Sequence, residues 1–489
     1  MKSKNIEDIY PLSPVQQGML FHSLLAPASG VYVVQVSYEV HGHLDTAAFE
    51  QAWQQEVDRH PVLRTAFVWE NLEKPLQVVG RHVKAPLEQH DWRTLSPEKQ
   101  QQQLEALLQA ERHRGFNLSK APLMRLTLIQ MSQDAYQFIW SYHHLLLDGW
   151  SVPLLLKEFL TFYNAFCQGQ NLHLEKLRPY RDYIAWLQQQ DLSKTEEFWR
   201  QTLKGFTAPT PLGVDRMPNQ KGSRDDELGV GSSQDQNYEE QQIQISPEIT
   251  LGLQSLAKKY QLTLNTLVQG AWAVLLSRYS SEDDVVFGAT CSGRPVALAG
   301  AEYMVGLFVN TLPVRVKVNA EQSLLSWLRH LQAQQVELRQ YEYSPLVEIH
   351  RMSDVPRSLP LFESLVVFEN YPVEPSLQQS VETLDIRNVR TVERTNYPLT
   401  VFAVVSSKLS LKISYDCHRF APATITQMLG HFQTLLEGMV NNSNQRLWEL
   451  PLLMASERHQ LLVEWNNTQS EHLKKQSIHD LFERMFEKL

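Results

Sequence analysis

His143-His144-Leu145-Leu146-Leu147-Asp148-Gly149 places two imidazoles, a carboxylate and a glycine in one short run. Residues 136–142 before it read as a strand, and residues 151–157 after it read as a helix. Side chains alternate across a strand, so the two histidines face opposite ways: one serves a site and the other packs. Asp148 and Gly149 fall at the strand-to-helix turn, where the first N–H groups of a helix have no intrahelical partner. An imidazole beside such donors is a layout for acyl transfer, with a base for the nucleophile's proton and donors where oxyanion charge develops.

The elements that must hold this turn are legible on either side. Strand-like runs at 31–40 and 123–131 bracket two helices. Asp45 caps the first, which carries Ala48, Phe49, Ala52, Trp53 and Val57 on one face and stops at His60-Pro61. The second opens at Ser96-Pro97 and interleaves a glutamine-rich face with Leu104, Leu107 and Leu108. Helical sequence resumes at 151–166 and 182–189, completing one α/β lobe. After helical residues 196–204 the chain turns polar, and 214–238 reads as a long surface loop. A second α/β unit follows: a strand at 241–245, a helix capped by Ser246 with Pro247 first, and an almost wholly apolar helix at 264–279. Strand-like runs at 285–290, 312–318, 365–368, 399–405 and 409–415 complete it.

With 489 residues the chain is long enough for two sizeable cores, and 43% hydrophobic with 20% charged residues is globular composition. A net charge of −9 argues against a broad nucleic-acid or anionic-membrane footprint. Cys167, Cys291 and Cys417 are far apart and lack zinc spacing, as expected of reduced thiols. No apolar run reaches membrane-spanning length and the N-terminus is polar, so a soluble, cytoplasmic protein is expected. No GxGxxG, Walker-type or GxSxG pattern calls for a dinucleotide, ATP or a covalent nucleophile, and no metal is expected.

The 143–149 run is similar to the HHxxxDG motif of condensation domains from non-ribosomal peptide synthetases, members of the chloramphenicol-acetyltransferase-like fold. Other motifs of that family appear in order. Tyr10-Pro11-Leu12-Ser13-Pro14-Val15-Gln16-Gln17-Gly18-Met19-Leu20-Phe21 resembles the opening one, and Arg59-His60-Pro61-Val62-Leu63-Arg64-Thr65-Ala66-Phe67 the second. Tyr180-Arg181-Asp182-Tyr183-Ile184-Ala185-Trp186 and Gly306-Leu307-Phe308-Val309-Asn310-Thr311-Leu312-Pro313-Val314-Arg315 resemble later ones; Asn396-Tyr397-Pro398-Leu399 is a looser match to the last. The resemblance implies an α/β fold of two chloramphenicol-acetyltransferase-like lobes, a V-shaped pseudo-dimer with the active site in a central tunnel. Residues 1–190 would form the N-terminal lobe and 191–457 the C-terminal lobe. Glu449-Leu450-Pro451-Leu452-Leu453 and the following residues resemble the linker to an adenylation domain. Ser477-Ile478-His479-Asp480-Leu481-Phe482-Glu483 resembles that domain's first helix, so 458–489 would be a linker and truncated adenylation start.

The reaction implied is amide formation, in which the amine of an aminoacyl group on one carrier protein attacks the thioester of an acyl or peptidyl group on another. The phosphopantetheine arms arrive with the upstream donor and downstream acceptor carriers, so the domain itself needs no cofactor; an adenylation domain would be its C-terminal neighbour, and the excised domain would be monomeric. An α-amine with pKa ~7.7–8.0 is roughly a tenth neutral at pH 7, so the harder proton is the one lost after attack. By resemblance His144 faces the tunnel, as general base or by orienting the amine, and His143 packs. Asp148 would turn from His144 to pair with Arg294 of the second lobe, with Arg59 and Arg64 as competitors. Gly149 offers close backbone approach and an N–H for the oxyanion. Trp150 and Ser151 would line the tunnel, with helix capping an equal explanation for Ser151. Asn310 and Asn396 suit either substrate contact or tying backbone together.

Relatives of other chemistry fit less well. The later motifs of epimerisation domains are not found, the aspartates that replace the histidines in heterocyclisation domains are absent, and His22 stands alone where a dual epimerising-condensing domain is histidine-rich. A coenzyme-A-dependent acyltransferase would not carry the adenylation-like tail, and a catalytically dead recruitment module usually loses the motif histidine.

Overall fold

The structure is a computed structural model describing residues 5–27, 29–214, 238–369, 384–405, 407–467 and 478–487. The first lobe opens with β1 (Ile6–Pro11) and α1 (Pro14–Leu25). The Ser13 hydroxyl accepts from the Gln16 N–H while the Gln16 side chain accepts from the Ser13 N–H, which fixes the start of α1. Then come β2 (Val33–His41), α2 (Thr46–Arg59), β3 (Thr65–Val68), β4 (Leu76–Gly80) and β5 (Leu87–Asp91). α3 (Pro97–Arg114), β6 (Met124–Gln130), β7 (Ala135–His143), α4 (Ser151–Cys167) and α5 (Tyr180–Gln188) complete the lobe. Asp45 caps α2 as the sequence predicts, its carboxylate accepting from the Ala47 and Ala48 N–H groups.

β7 is the strand that ends on the histidines. It lies between β2 and β6, antiparallel to both, and is buried from Tyr136 onward because both faces of the sheet are covered. On one face Trp53 of α2 packs against Phe138 and Trp140, with ring centroids 5.8 and 5.1 Å apart. On the other, Leu104 and Leu108 of α3 meet Ile129 and Ile139. α2 and α4 are tied by charge: His60 Nε2 stands 2.8 Å from Glu158 and 3.3 Å from Glu56, and Arg59 Nε takes the same Glu158 oxygen at 2.8 Å. These residues have metal-ligating types, and Glu56 is fully buried with neither carboxylate oxygen accepting a hydrogen bond among the described residues, so burial pushes its pKa up to about 7.

After α6 (Leu192–Thr202), the second lobe has β8 (Tyr238–Gln244), α7 (Pro247–Tyr260), α8 (Leu264–Ser280), β9 (Asp284–Cys291) and β10 (Asn310–Lys317). α9 (Leu324–Leu338), α10 (Leu346–Met352), β11 (Ser364–Glu369), β12 (Asp385–Val392), β13 (Leu399–Val405) and β14 (Leu409–Asp416) follow. A helix at Pro422–Asn441 packs on α8, where Trp272 meets Phe432. The six-stranded sheet runs β10-β9-β11-β13-β14-β8. The apolar helix expected at 264–279 is α8, and its stretch from Thr266 to Leu276 is buried.

β12 departs from the expected division at 190/191. It leaves the second lobe and pairs antiparallel with the outer edge of β2, from Asp385 opposite His41 to Val392 opposite Gln35. The first sheet therefore runs β12-β2-β7-β6-β5. An open β2 edge would present unpaired backbone groups, which the crossing strand satisfies. It also carries the residues after Val392 to the end of β7. Most of the loop expected at 214–238 lies outside the described residues. No helix among the described residues is long and apolar enough to cross a membrane.

Candidate active site

The backbones of both histidines are held by the strands beside them: the His143 N–H donates to Leu123 O at 3.0 Å and the His144 N–H to Tyr32 O at 2.8 Å. His143 turns into the lobe. Its Nδ1 accepts from the Leu145 N–H at 3.1 Å, which leaves the proton on Nε2, 3.2 Å from Ser23 Oγ. Burial, together with the neighbouring His144, pushes its pKa down to about 3, so the ring is neutral. His144 points the other way, to the wall of a cavity of about 1840 Å³ lined from both lobes. Its Nε2 lies 3.2 Å from Glu393 Oε1. Burial disfavours its cation, but the contact with Glu393 and that residue's charge outweigh this, with Asp148 adding to them, and the pKa is raised. Glu393 answers in kind: burial favours its neutral form, yet His144 and the more distant Lys412 hold it below the usual carboxylate range.

Asp148 is turned into the interlobe boundary and makes no hydrogen bond to His144. Its carboxylate takes Arg294 Nη2 at 3.1 Å, the Phe308 N–H at 2.9 Å, and the Ser151 N–H and hydroxyl at 2.9 and 2.8 Å. Arg294 continues to the carbonyls of Ala301 and Met304 and stacks over the Phe308 ring at 4.2 Å. The pairing implied by the family resemblance is present. Arg59 and Arg64 are elsewhere. Arg59 holds Glu158, and the buried Arg64 pairs with Glu7 of β1 and bonds to the Val57 carbonyl, so it braces the lobe rather than the turn.

Three further expectations sort by geometry. Ser151 does not line the cavity: it is fully buried, its hydroxyl proton shared between Asp148 and the Gly306 carbonyl while its oxygen accepts from the Gly306 N–H and Arg294. Asn310 borders the cavity, but both protons of its amide go to the carbonyls of Glu342 and Ser344 and its oxygen takes the Thr311 N–H. It ties backbone together. Asn396 also borders the cavity, accepting from the Tyr32 hydroxyl at 2.9 Å with its amide nitrogen 3.4 Å from His22 Nε2. Gly149 and Trp150 both face the cavity, and no hydrogen bond from the Gly149 N–H occurs among the described residues. Glu393 was missed by sequence reasoning. It belongs to none of the quoted motifs, and the one signal near it is its place just ahead of Asn396-Tyr397-Pro398-Leu399.

A two-lobed α/β fold with a histidine at the wall of an interlobe cavity is the architecture of condensation domains. The starter condensation domain of rhizomide synthetase, in complex with C8-CoA, matches with a TM-score of 0.75 over 91% of this chain and 98% of its own, at 20% identity. A four-domain nonribosomal peptide synthetase bound to AMP and glycine matches at 0.76 over 92% of this chain and 34% of its own, at 19% identity. Those likenesses show the fold. The sequence goes further: the model of the Condensation domain family matches residues 6–462. Linear gramicidin synthase subunits C and D of Brevibacillus parabrevis are 48% identical over 487 residues and 45% identical over 484. The chain belongs to the condensation-domain family. Those alignments cover 100% and 99% of this chain but 6% and 9% of the relatives, so the chain spans less than a tenth of their length.

Proposed function

We propose that the chain joins a donor acyl or peptidyl thioester to an acceptor aminoacyl thioester through an amide bond, both substrates arriving on carrier proteins by phosphopantetheine arms. The observation that carries this reading is His144, whose ring stands at the wall of a cavity lined from both lobes, on a turn clamped by Asp148 and Arg294. The acceptor amine attacks the thioester carbonyl carbon and a C–N bond forms. Nε2 of His144 takes the surplus N–H proton from the tetrahedral adduct. The C–S bond then breaks, and the imidazolium returns the proton to the departing pantetheine sulfur. The Gly149 N–H is the donor for the adduct's oxyanion, and Trp150 forms cavity wall beside it. Donor and acceptor carriers act upstream and downstream. Residues 458–489 lead into an adenylation domain, a reading supported by a helix at Ile478–Phe486 that leaves Phe482, Met485 and Phe486 uncovered.

Single-turnover transfer between two loaded carrier proteins, read by intact-protein mass spectrometry, tests this. His144→Ala is expected to slow transfer by ~10²–10⁴ while carrier binding persists. A wild-type chain that binds carriers and transfers nothing across a panel of donors would overturn the reading in favour of recruitment alone.

A further inference from the structure

We propose that Glu393 is the receptor for the acceptor's α-ammonium group, so that the cavity selects an amine over a hydroxyl nucleophile; this rests on the amide-forming reading above. Glu393 is set firmly in place. It follows β12 directly, the Tyr32 N–H donates to the carbonyl of the next residue, Arg394, at 3.0 Å, and the Tyr32 hydroxyl holds Asn396. Its side chain keeps 21% exposure, on the cavity side.

Among the described residues the carboxylate has no lysine or arginine within ion-pair distance. Asp148 is matched by Arg294, and Glu342, which also lines the cavity, takes the Gly293 N–H. Lys412, whose charge reaches Glu393, is engaged by Glu240 at 3.1 Å. Glu393 therefore leans on the His144 ring, and a buried carboxylate whose partner must act as a base needs a replacement cation. The acceptor supplies one. With Oε1 3.2 Å from Nε2, an ammonium seated on Glu393 lies within reach of the same ring nitrogen.

The cycle balances. Without substrate, Glu393 and His144 each favour the other's charged form. The ammonium takes over as counter-ion, and a protonated His144 sheds its proton to water. The bound ammonium then loses one proton to water, and the amine attacks. The adduct's surplus proton passes to Nε2, where Glu393 stabilises the imidazolium until it protonates the leaving sulfur. The titratable and charged groups around the pair are Tyr142 and the neutral His143 of β7, Asp148 on the turn, Tyr32 ahead of β2, Glu369 at the end of β11 and Lys412 of β14. A hydroxyl acceptor carries no charge and gains no binding from Glu393.

The test uses the whole chain with pantetheine thioesters as donors and matched acceptors: alanyl against lactyl, phenylalanyl against phenyllactyl. Glu393→Gln is expected to raise KM for the amine acceptors at least tenfold at pH 7 and to change KM for hydroxyl acceptors less than twofold, with Glu393→Asp recovering part of the loss. Imidazole NMR gives a second readout, with an unchanged His143 signal reporting an intact fold. Glu393→Gln should move the His144 titration to lower pH. An unreactive aminoalkyl pantetheine thioether should do so in the wild type, its hydroxyalkyl counterpart should not, and the difference should vanish in Glu393→Gln. Equal KM losses for both acceptor types, or a wild-type His144 titration indifferent to the amine thioether, would overturn the proposal. A wild type that transfers to neither acceptor counts against amide formation itself, and the NMR comparison then still decides whether Glu393 binds the ammonium.

Discussion

Arg294 reaches from the second lobe to Asp148 of the first, Nη2 to Oδ1 at 3.1 Å, and both side chains are buried. The contact settles what the carboxylate in the histidine motif does. With Arg294, the Phe308 amide and Ser151 closed on it, Asp148 accepts no hydrogen bond from His144. The motif therefore does not assemble a nucleophile–base–acid triad. Asp148 clamps the turn that presents His144 and Gly149, and the carboxylate next to the imidazole is Glu393.

Removing one side of a buried ion pair strands the other. Arg294→Ala leaves Asp148 uncompensated at the lobe boundary, and a loss of about 3–5 kcal/mol is expected in urea unfolding. An unchanged midpoint would show that the two lobes do not depend on the clasp.

Ser151→Ala separates a structural hydroxyl from a substrate contact. The Gly306 N–H loses its acceptor at 3.0 Å and Asp148 loses a donor, for an expected cost of about 1–3 kcal/mol. KM for either substrate should stay as it is. A raised KM with unchanged stability would return Ser151 to the cavity wall.

Gly293 and Gly18 should respond in opposite directions. Gly293, one residue before Arg294, sits at φ +61°, and a Cβ there would lie 1.8 Å from the Phe308 carbonyl oxygen. Gly293→Ala is expected to lower Tm sharply and weaken transfer, because the backbone that aims Arg294 must move. Gly18 lies inside α1 with nothing within 4 Å of a Cβ, so Gly18→Ala should stabilise by about 0.5–1 kcal/mol. Thermal melts of the two variants check both signs.

His143 gives the protein a definite acid response. Its pKa is about 3 in the fold against an ordinary 6.5. Below pH 6.5 the unfolded chain takes up a proton that the folded chain refuses, so this ring lowers stability progressively as pH falls from 6.5 towards 3. Between pH 7 and pH 5 its share is about 2 kcal/mol. Urea midpoints at both pH values should show the wild type losing about that much more than His143→Gln; equal losses would mean that the ring is protonated in the fold.

Much of the molecule is legible in the residues alone, because the signals concerned are local. Two-residue alternation sends His143 and His144 to opposite faces, Asp45 and Ser246 mark helix starts, and the apolar run at 264–279 can only be a buried helix. The ordered motifs carry the family and the two-lobed plan. The roles of individual polar residues are less legible, since a serine that lines a cavity and one that braces a boundary have the same neighbours in sequence. Ser151 and Asn310 are assigned only by which carbonyls and carboxylates meet them.

Glu393 marks where local reading stops. β12 is largely exposed, with Ile386 its buried apolar residue, so its hydrophobic alternation is weak. Its pairing partner is an open sheet edge far away in sequence. Sequence by itself determined the family, the capped starts of α2 and α7 and the histidine at the site, through motif, capping and periodicity. The tertiary structure decided that a strand from the second half completes the first lobe and sets a carboxylate against His144, because backbone pairing at a sheet edge is non-local and leaves little trace in side-chain pattern.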